Sequence, residues 1–387
     1  MSKTVTDKDA YDFITKLLVT KKFLMESIRT PILLDIFIIT STALKDDPNS
    51  ISDYYDGLFS ALLHRHDLIK NLTRTKKSNL PDRVLERCFS LFSFFSLMNS
   101  KGDFSRSEIN DIFAKSATAM KIEKLPEDIA DDIIDGTNIL VKDGYDNYVY
   151  IHKSIQEYFA AKCISTMDES AKENIYNNFT RMNPYQLSTS LMMMLSYLDG
   201  FDFVKLYILK KFQDAGCLKN ELITKLDKKD YISHIGEWVM EIDTANKTCS
   251  SLTTVSTGPW MQIDHVEFIH SYLTPIEARQ SLDFAGNEFI INLGETIVEH
   301  ICNGNLKPLS PEHPKCKENN PDASTNVFIE LSSIREIIDN YDDLFDEPYE
   351  SYSNSEHFIN KYIKENYHDK IESSTILNSM IDNIKFK

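Results

Sequence analysis

The chain has 387 residues, 59 of them acidic against 42 basic, and a formal charge of −17 at neutral pH. A chain with this excess of negative charge repels phosphate backbones, which disfavours nucleic acid as a partner. Its length permits two or three domains, and an apolar content of 42% is enough to build their cores.

The six cysteines include no Cys-x-x-Cys pair, and this spacing argues against a zinc site and against a disulfide scaffold. The first ten residues are polar and charged, unlike a signal peptide. The longest apolar run, residues 31–40, contains Asp35 and falls short of the roughly 20 residues that span a bilayer. We therefore expect a cytoplasmic protein with no metal and no membrane contact.

Residues 1–80 predict a helical subdomain. Pro31 follows the N-cap candidate Thr30, and it occupies the first helical position, where its missing N–H costs nothing. A later helix over 53–68 carries Tyr54, Leu58, Leu62 and Leu63 on one side. The basic stretch after it contains Lys70, Arg74, Lys76 and Lys77, and it is either a solvated connector or a phosphate contact.

Residues 81–166 predict a winged helix. Three helices are expected: one over 82–99, a shorter one that begins at a capping box formed by Ser105 and Glu108, and one over 126–135. An Asp-Gly turn then joins two short strands at 139–141 and 148–151, which is a hairpin signal. The third helix has five acidic residues and no basic one, which is the wrong sign for a DNA groove. This winged helix is therefore predicted to pack against protein.

The remaining chain predicts a second helical domain at 167–305, with a Ser/Thr-rich loop at 246–259. A linker or long loop with four prolines follows at 306–326, and an acidic helical segment at 327–387. The expected fold class is mainly α: a helical subdomain, a winged helix with one small β-hairpin, and a helical C-terminal domain.

One stretch combines a strand, a histidine and an aromatic helix. Residues 147–161 read NYVYIHKSIQEYFAA, with His152 where an alternating strand changes into a helix. This pattern resembles the winged-helix domain of NACHT-type signal-transduction ATPases, a group that includes Nod-like receptors and bacterial anti-phage proteins. The stretches IRTPILLDIFIITS (28–41) and DYYDGLFSALLHRHD (53–67) are similar to the family's first helical subdomain, and the resemblance covers about residues 5–215.

The resemblance implies an ADP site closed by this half of the protein, with Pro31 packing on the adenine side and His152 donating a hydrogen bond to a phosphate. A helix start is a suitable place for such a donor, because the helix dipole also favours an anion there. Gln156, Glu157, Tyr158 and Phe159 are expected to be structural, with Phe159 and the following alanines packing on the winged-helix core.

The sequence contains no G-x-x-x-x-G-K-[ST] motif to cradle phosphates. The Walker B-like run Ile32–Asp35 follows Thr-Pro and has no P-loop before it, so no ATPase activity is expected from this chain. ADP or ATP would bind only with a P-loop domain supplied by another polypeptide, a longer precursor or a full-length homologue. The predicted function is the regulatory and sensor half of a NACHT-type ATPase in signalling or antiviral defence, which oligomerises after an unknown trigger.

Two other functions stay open at the level of sequence. The first is an interaction adaptor or decoy, derived from such an ATPase, that binds no nucleotide. The second is an enzyme in the C-terminal half, although no histidine there has the spacing of a catalytic triad or a metal site. The histidines considered for that role are His234, His265, His270, His300 and His313.

Overall fold

The structure is a computed structural model, and it describes residues 15–17, 19–20, 34, 37–38, 55, 58–59, 62–63, 75–183, 186–235, 239–243, 248–253, 261–273, 297–310 and 326–382. It is mainly helical, as the sequence predicts. Contacts divide the chain into two compact units, Met1–Phe203 and Val204–Lys387. The five-segment division expected from the sequence stays a prediction.

The winged-helix prediction is matched by the order of elements in the first unit. Among its described residues, three strands pair in the order β1-β3-β2, and β3 is antiparallel to both neighbours. The elements are α1 (Asp82–Met98), β1 (Asp103–Phe104), α2 (Arg106–Ala119), α3 (Pro126–Thr137), β2 (Leu140–Lys142), β3 (Tyr148–Tyr150) and α4 (Lys153–Ser165).

The predicted hairpin is confirmed as β2 and β3, and a third strand that was not predicted, β1, extends it into a three-stranded sheet. The additional strand β1 has only two residues, and Phe104 pairs with Tyr148. A strand this short shows no alternation that sequence reading could detect.

Local chemistry accounts for where these helices begin and end. The Ser105 N–H donates to Glu108 Oε2 at 2.8 Å and the Glu108 N–H donates to Ser105 Oγ at 3.3 Å, so the predicted capping box is confirmed. Helix α3 has Pro126 at its first position, where no N–H is needed, and ends at Asn138 in the left-handed region with φ +52°.

An aromatic cluster holds α1 and α4 together. The ring centroids of Phe89 and Phe159 are 4.9 Å apart in an edge-on arrangement, and those of Phe92 and Phe113 are 4.7 Å apart and stacked. All four rings are fully buried, so each contributes on the order of 2–3 kcal/mol of hydrophobic free energy. The predicted packing of Phe159 on the winged-helix core is confirmed.

The first unit ends in helices tied together by a buried ion cluster. Lys172 Nζ lies 2.5 Å from Asp199 Oδ1 and 2.8 Å from Asp202 Oδ2, and the Tyr176 hydroxyl donates to Asp199 Oδ2 at 2.8 Å. Lys172 and Asp199 are each less than 8% exposed, so each charge depends on the other for compensation. The helices are α5 (Glu169–Arg181), α6 (Thr189–Leu198) and α7 (Gly200–Phe203).

The second unit combines helices with two small sheets. Strands β4 (Leu218–Lys219) and β5 (Leu222–Ile223) form a hairpin, and β6 (Val239–Asp243) lies between β7 (Thr248–Thr253) and β8 (Asn326–Glu330). The helices described in this unit include α8 (Leu209–Asp214), α9 (Lys228–Ile235), α10 (Met261–Leu273), α11 (Asp346–Ile363) and α12 (Asp369–Asp382), with π-helical turns at Val204–Ile208 and Lys364–His368. Residues 297–302 are also helical.

Two parts of the second unit differ from the sequence expectation. Residues 248–253, predicted as loop, form β7. Strand β8 contains Asn326, predicted as the end of the linker, and residues 327–330, predicted as the start of the helical segment. Both strands pair with β6, whose residues 239–243 were expected to be helical or irregular. The β6–β8 pairing joins strands more than 80 residues apart, which local propensity does not encode.

The buried ion cluster yields a stability prediction. Lys172→Met removes the cation and leaves Asp199 buried without compensation, so we expect a loss of roughly 3–5 kcal/mol in the free energy of unfolding. Urea denaturation followed by circular dichroism measures it. Lys115→Met is the matched control, because Lys115 is exposed and should change stability by no more than about 0.5 kcal/mol. Similar losses for both variants would contradict the prediction.

Candidate functional site

His152 is the N-cap residue of α4. Its backbone is extended (φ −156°), as in the strand that precedes it. Its ring nitrogen Nδ1 accepts the N–H of Ser154 at 3.2 Å. The Ser154 hydroxyl lies 2.7 Å from the same nitrogen. The predicted position of His152, between β3 and a helix, is confirmed.

These contacts determine which ring nitrogen carries the proton. A backbone N–H can only donate, so Nδ1 of His152 is an acceptor and the neutral ring is protonated at Nε2. The Ser154 hydroxyl then donates to Nδ1, and the Tyr55 hydroxyl, 2.6 Å from Ser154 Oγ, donates to that oxygen. The resulting chain runs from Tyr55 through Ser154 to His152 and leaves the Nε2–H directed away from its own helix cap.

The protonation states agree with this arrangement. Burial lowers the pKa of His152, and the nearby Glu157 carboxylate opposes that change. Protonation at Nδ1 would also break the helix cap, so the ring is neutral at pH 7. Burial raises the pKa of Tyr55 to about 12, against the effect of its Ser154 hydrogen bond, so its hydroxyl keeps its proton.

Tyr55 reaches this site because its helix packs on α4. Its ring stacks on Tyr158 with centroids 5.1 Å apart, and Phe59 lies 5.9 Å from Phe159. Leu63 is packed so closely that a Cβ on Gly136 would come within 2.8 Å of its Cδ1. Tyr55, Phe59 and Leu63 therefore share one core with the winged helix. Neither Tyr55 nor Ser154 was predicted from the sequence as a partner of His152.

The second turn of α4 holds a buried carboxylate. Glu157 is 4% exposed, accepts the Ser188 hydroxyl, and lies 3.5 Å from Lys153 Nζ. Lys153 itself is largely exposed. The start of α4 therefore carries the His152 ring and an exposed Lys153 ammonium that is paired with the buried Glu157 carboxylate.

Pro31, the other residue assigned to the nucleotide, lies outside the described residues. Its proximity to His152 stays a prediction. Ile32 and Asp35 of the Walker B-like run are likewise outside that part of the chain, and Leu34 of the same run is partly exposed.

The basic stretch before α1 is engaged within the chain where the structure describes it. Lys76 pairs with Asp82, and Lys77 Nζ lies 2.5 Å from Asp131 Oδ2. Asp132 accepts the backbone N–H groups of both Lys77 and Ser78, at 2.8 and 2.9 Å. These residues cover part of the acidic face of α3. Lys70 and Arg74 are not among the described residues.

Two of the C-terminal histidines that the structure describes pack against aromatic rings. His265 is 8% exposed and packs edge-on against Phe212, and His270 is 9% exposed with its ring against Phe358. In the described ranges, no group of three or more His, Cys, Asp or Glu side chains is placed to hold a metal ion. His234 and His300 are partly exposed, and His313 lies outside the described ranges.

No helix among the described residues combines the length and apolar character needed to cross a bilayer. Comparison of the sequence with models of known protein families gives no match, and comparison with curated proteins gives no significant match. The resemblance to NACHT-type ATPases therefore stays a prediction that depends on the residues of the chain.

The two roles of the His152 ring can be separated by substitution. His152→Ala removes the helix cap and should lower the free energy of unfolding by about 1 kcal/mol, whereas His152→Asn keeps a strong N-cap side chain and should lower it by less than about 0.5 kcal/mol. Chemical denaturation of the three proteins side by side measures the difference. Equal losses in both variants would show that the ring does not act as a cap.

Burial of His265 predicts a pH dependence of stability. Burial, followed by the Lys211 charge, lowers its folded-state pKa to about 4, below the roughly 6.5 of an unfolded chain. As the pH falls, the unfolded state binds the proton before the folded state does. The contribution of neutral His265 to the free energy of unfolding is therefore present in full above about pH 6.5 and is lost towards pH 4, by up to roughly 3 kcal/mol.

Unfolding free energies measured between pH 7 and pH 4 test this dependence. His265→Gln should flatten the slope by up to about 1.4 kcal/mol per pH unit. The same substitution at His357, which is exposed on α11, is the control and leaves the slope unchanged. A slope that persists in His265→Gln would assign the acid sensitivity to other groups.

Proposed function

We propose that this chain is the regulatory and sensor half of a NACHT-type signalling or anti-phage ATPase, and that it closes over a nucleotide bound by a P-loop domain from elsewhere. The observation that supports this function best is the state of His152. Its Nδ1 is held by the Ser154 N–H at 3.2 Å and the Ser154 hydroxyl at 2.7 Å, which assigns the proton to Nε2.

A neutral histidine in this state is a suitable phosphate contact. The Nε2–H donates one directed hydrogen bond, and the start of α4 adds the favourable end of a helix dipole and the exposed Lys153 ammonium. Such a contact strengthens binding only in the closed state, so it stabilises that state by the free energy of one hydrogen bond to a charged group, about 1.5–3 kcal/mol.

The link from Tyr55 to His152 gives the proposed switch a mechanical basis. Tyr55 belongs to the predicted 1–80 subdomain, while Ser154 and His152 begin α4, and the hydroxyl contact of 2.6 Å joins the two. Under this proposal, a displacement of the helix carrying Tyr55 changes the orientation of the ring that contacts the phosphate. Nucleotide release and helix movement are then coupled through one side-chain network.

The second candidate is an adaptor or decoy that binds protein and no nucleotide. One observation favours it, namely the exposed apolar side chains on α12. Ile376, Leu377 and Met380 are 48%, 56% and 61% exposed on this helix. Neighbouring apolar side chains at this level of exposure are typical of a surface that binds another protein.

Nucleotide affinity distinguishes the two functions. The chain is co-expressed with a P-loop polypeptide that is tested as its partner, beginning with any encoded beside it, and the affinity of the purified complex for fluorescent ADP is measured by anisotropy. Loss of the phosphate contact in His152→Asn should weaken ADP binding about tenfold or more, in line with the hydrogen bond removed, while the helix cap is retained.

The chain alone is expected to bind ADP far more weakly than the complex. Equal ADP affinity in the wild-type and His152→Asn complexes would contradict a phosphate contact by His152. If no P-loop polypeptide forms a complex with the chain, the adaptor function is favoured instead.

A further inference from the structure

The first unit contains a second concave site, away from His152. This basic cleft has a volume of about 880 Å³ and lies among the first turns of α1, the end of α2 and the corner between α4 and α5. It adjoins Lys162 near the C-terminal end of α4, whereas His152 caps the N-terminal end. About ten residues of helix, roughly 15 Å, separate the two.

Three cations on the rim of the basic cleft are not neutralised. Arg83 and Arg87 lie one turn apart on α1, and Lys121 follows the end of α2. Within the part of the chain that the structure describes, these three side chains form neither an ion pair nor a side-chain hydrogen bond. Like charges four residues apart on a helix disfavour it slightly, so the fold itself gains nothing from this pair.

The acidic groups around the cleft are already engaged. Glu86 Oε1 lies 2.6 Å from Lys162 Nζ, and Asp168 Oδ1 accepts the Ala171 N–H at 3.0 Å as the cap of α5. The rim therefore carries an excess of positive charge in a chain whose formal charge is −17. A concave surface with charge of one sign concentrates its electrostatic field and attracts ligands of the other sign.

Lys121 occupies a backbone position where glycine is usual. It has φ +56°, and the bonds Ile122 N–H to Ala117 O (2.9 Å) and Lys121 N–H to Thr118 O (3.1 Å) form a Schellman motif. A side chain in the left-handed region costs about 1 kcal/mol, which glycine would avoid. Lysine at this position therefore does not stabilise the fold, whereas its ammonium group would contribute to a site for an anionic ligand.

The floor of the cleft is apolar. Leu91, Met120, Cys163 and Met167 line it, and burial raises the pKa of Cys163 to about 12, so that its thiol stays protonated. A cavity of this size, with an apolar floor and a few polar groups on one side, is typical of small-molecule sites. Paired guanidinium groups match the geometry of phosphate oxygens better than an ammonium does.

We propose that the basic cleft binds a small organic phosphate, with its phosphate group at Arg83, Arg87 and Lys121 and its apolar or aromatic part on the floor. The proposal does not depend on the nucleotide function assigned to His152. Its ligand class follows from the unneutralised cations, the apolar floor and the volume of the cleft.

Isothermal titration calorimetry of the full chain at low salt tests the proposal, with phenyl phosphate and inorganic phosphate as probes. Phenyl phosphate should bind at least tenfold more tightly, because only it fills the apolar floor. The double variant Arg83→Gln/Arg87→Gln should weaken its binding tenfold or more. The control Lys115→Gln/Lys124→Gln makes the same change in net charge at exposed positions that do not line the cleft, and it should leave binding unchanged.

Lys121→Gly separates binding from folding. The substitution relieves the left-handed strain, so the melting temperature should rise or stay the same while phenyl phosphate binding weakens several-fold. Absence of binding at millimolar concentrations would overturn the proposal. An equal loss of binding in the Lys115/Lys124 control would also overturn it, because that result indicates non-specific attraction. Displacement of the probe by a glutamate-rich peptide would overturn it as well, because that result indicates a protein-docking surface.

Discussion

The burial of α4 on more than one side is the constraint on which the first unit depends. Residues 155–161 are all 4% exposed or less, although only part of a helix surface can face a single neighbour. Helix α1 covers one part through Phe89, and the helix that carries Tyr55 and Phe59 covers another. This packing places the N-cap of α4, and therefore His152, at the boundary between the winged helix and the preceding helical residues.

The charges of the first unit fall into groups with different consequences. The acidic face of α3 is matched by Lys77, Ser78 and Arg106, and the pair Lys172–Asp199 is buried and mutually compensated. Both groups hold elements of the fold together. Arg83, Arg87 and Lys121 on the rim of the basic cleft differ because none of them has a carboxylate partner among the described residues, although acidic residues outnumber basic ones in the chain. In the first unit the fold neutralises much of its buried charge and leaves the cleft positive.

Sequence reading was most accurate where a local rule applied. The capping box at Ser105, the proline that begins α3 and the histidine that begins α4 each depend on a few adjacent residues, and each is found as predicted. On the helix near residue 55 the prediction was incomplete. Leu58, Leu62 and Leu63 are buried as predicted, and Tyr55 and Phe59, which were not predicted, are buried on the same helical face. Tyr54, also assigned to the packed side, lies outside the described residues.

The sequence by itself determined the helical class, the order of the winged-helix elements and the residue at the start of α4, because periodicity and capping act within one or two helical turns. Only the tertiary structure decided that Tyr55 reaches Ser154, that β8 joins β6, and that Arg83, Arg87 and Lys121 line one cleft. These contacts join residues 34 to 99 positions apart or pair distant strands. Long-range packing selects them, and local propensity carries no information about which distant surfaces will meet.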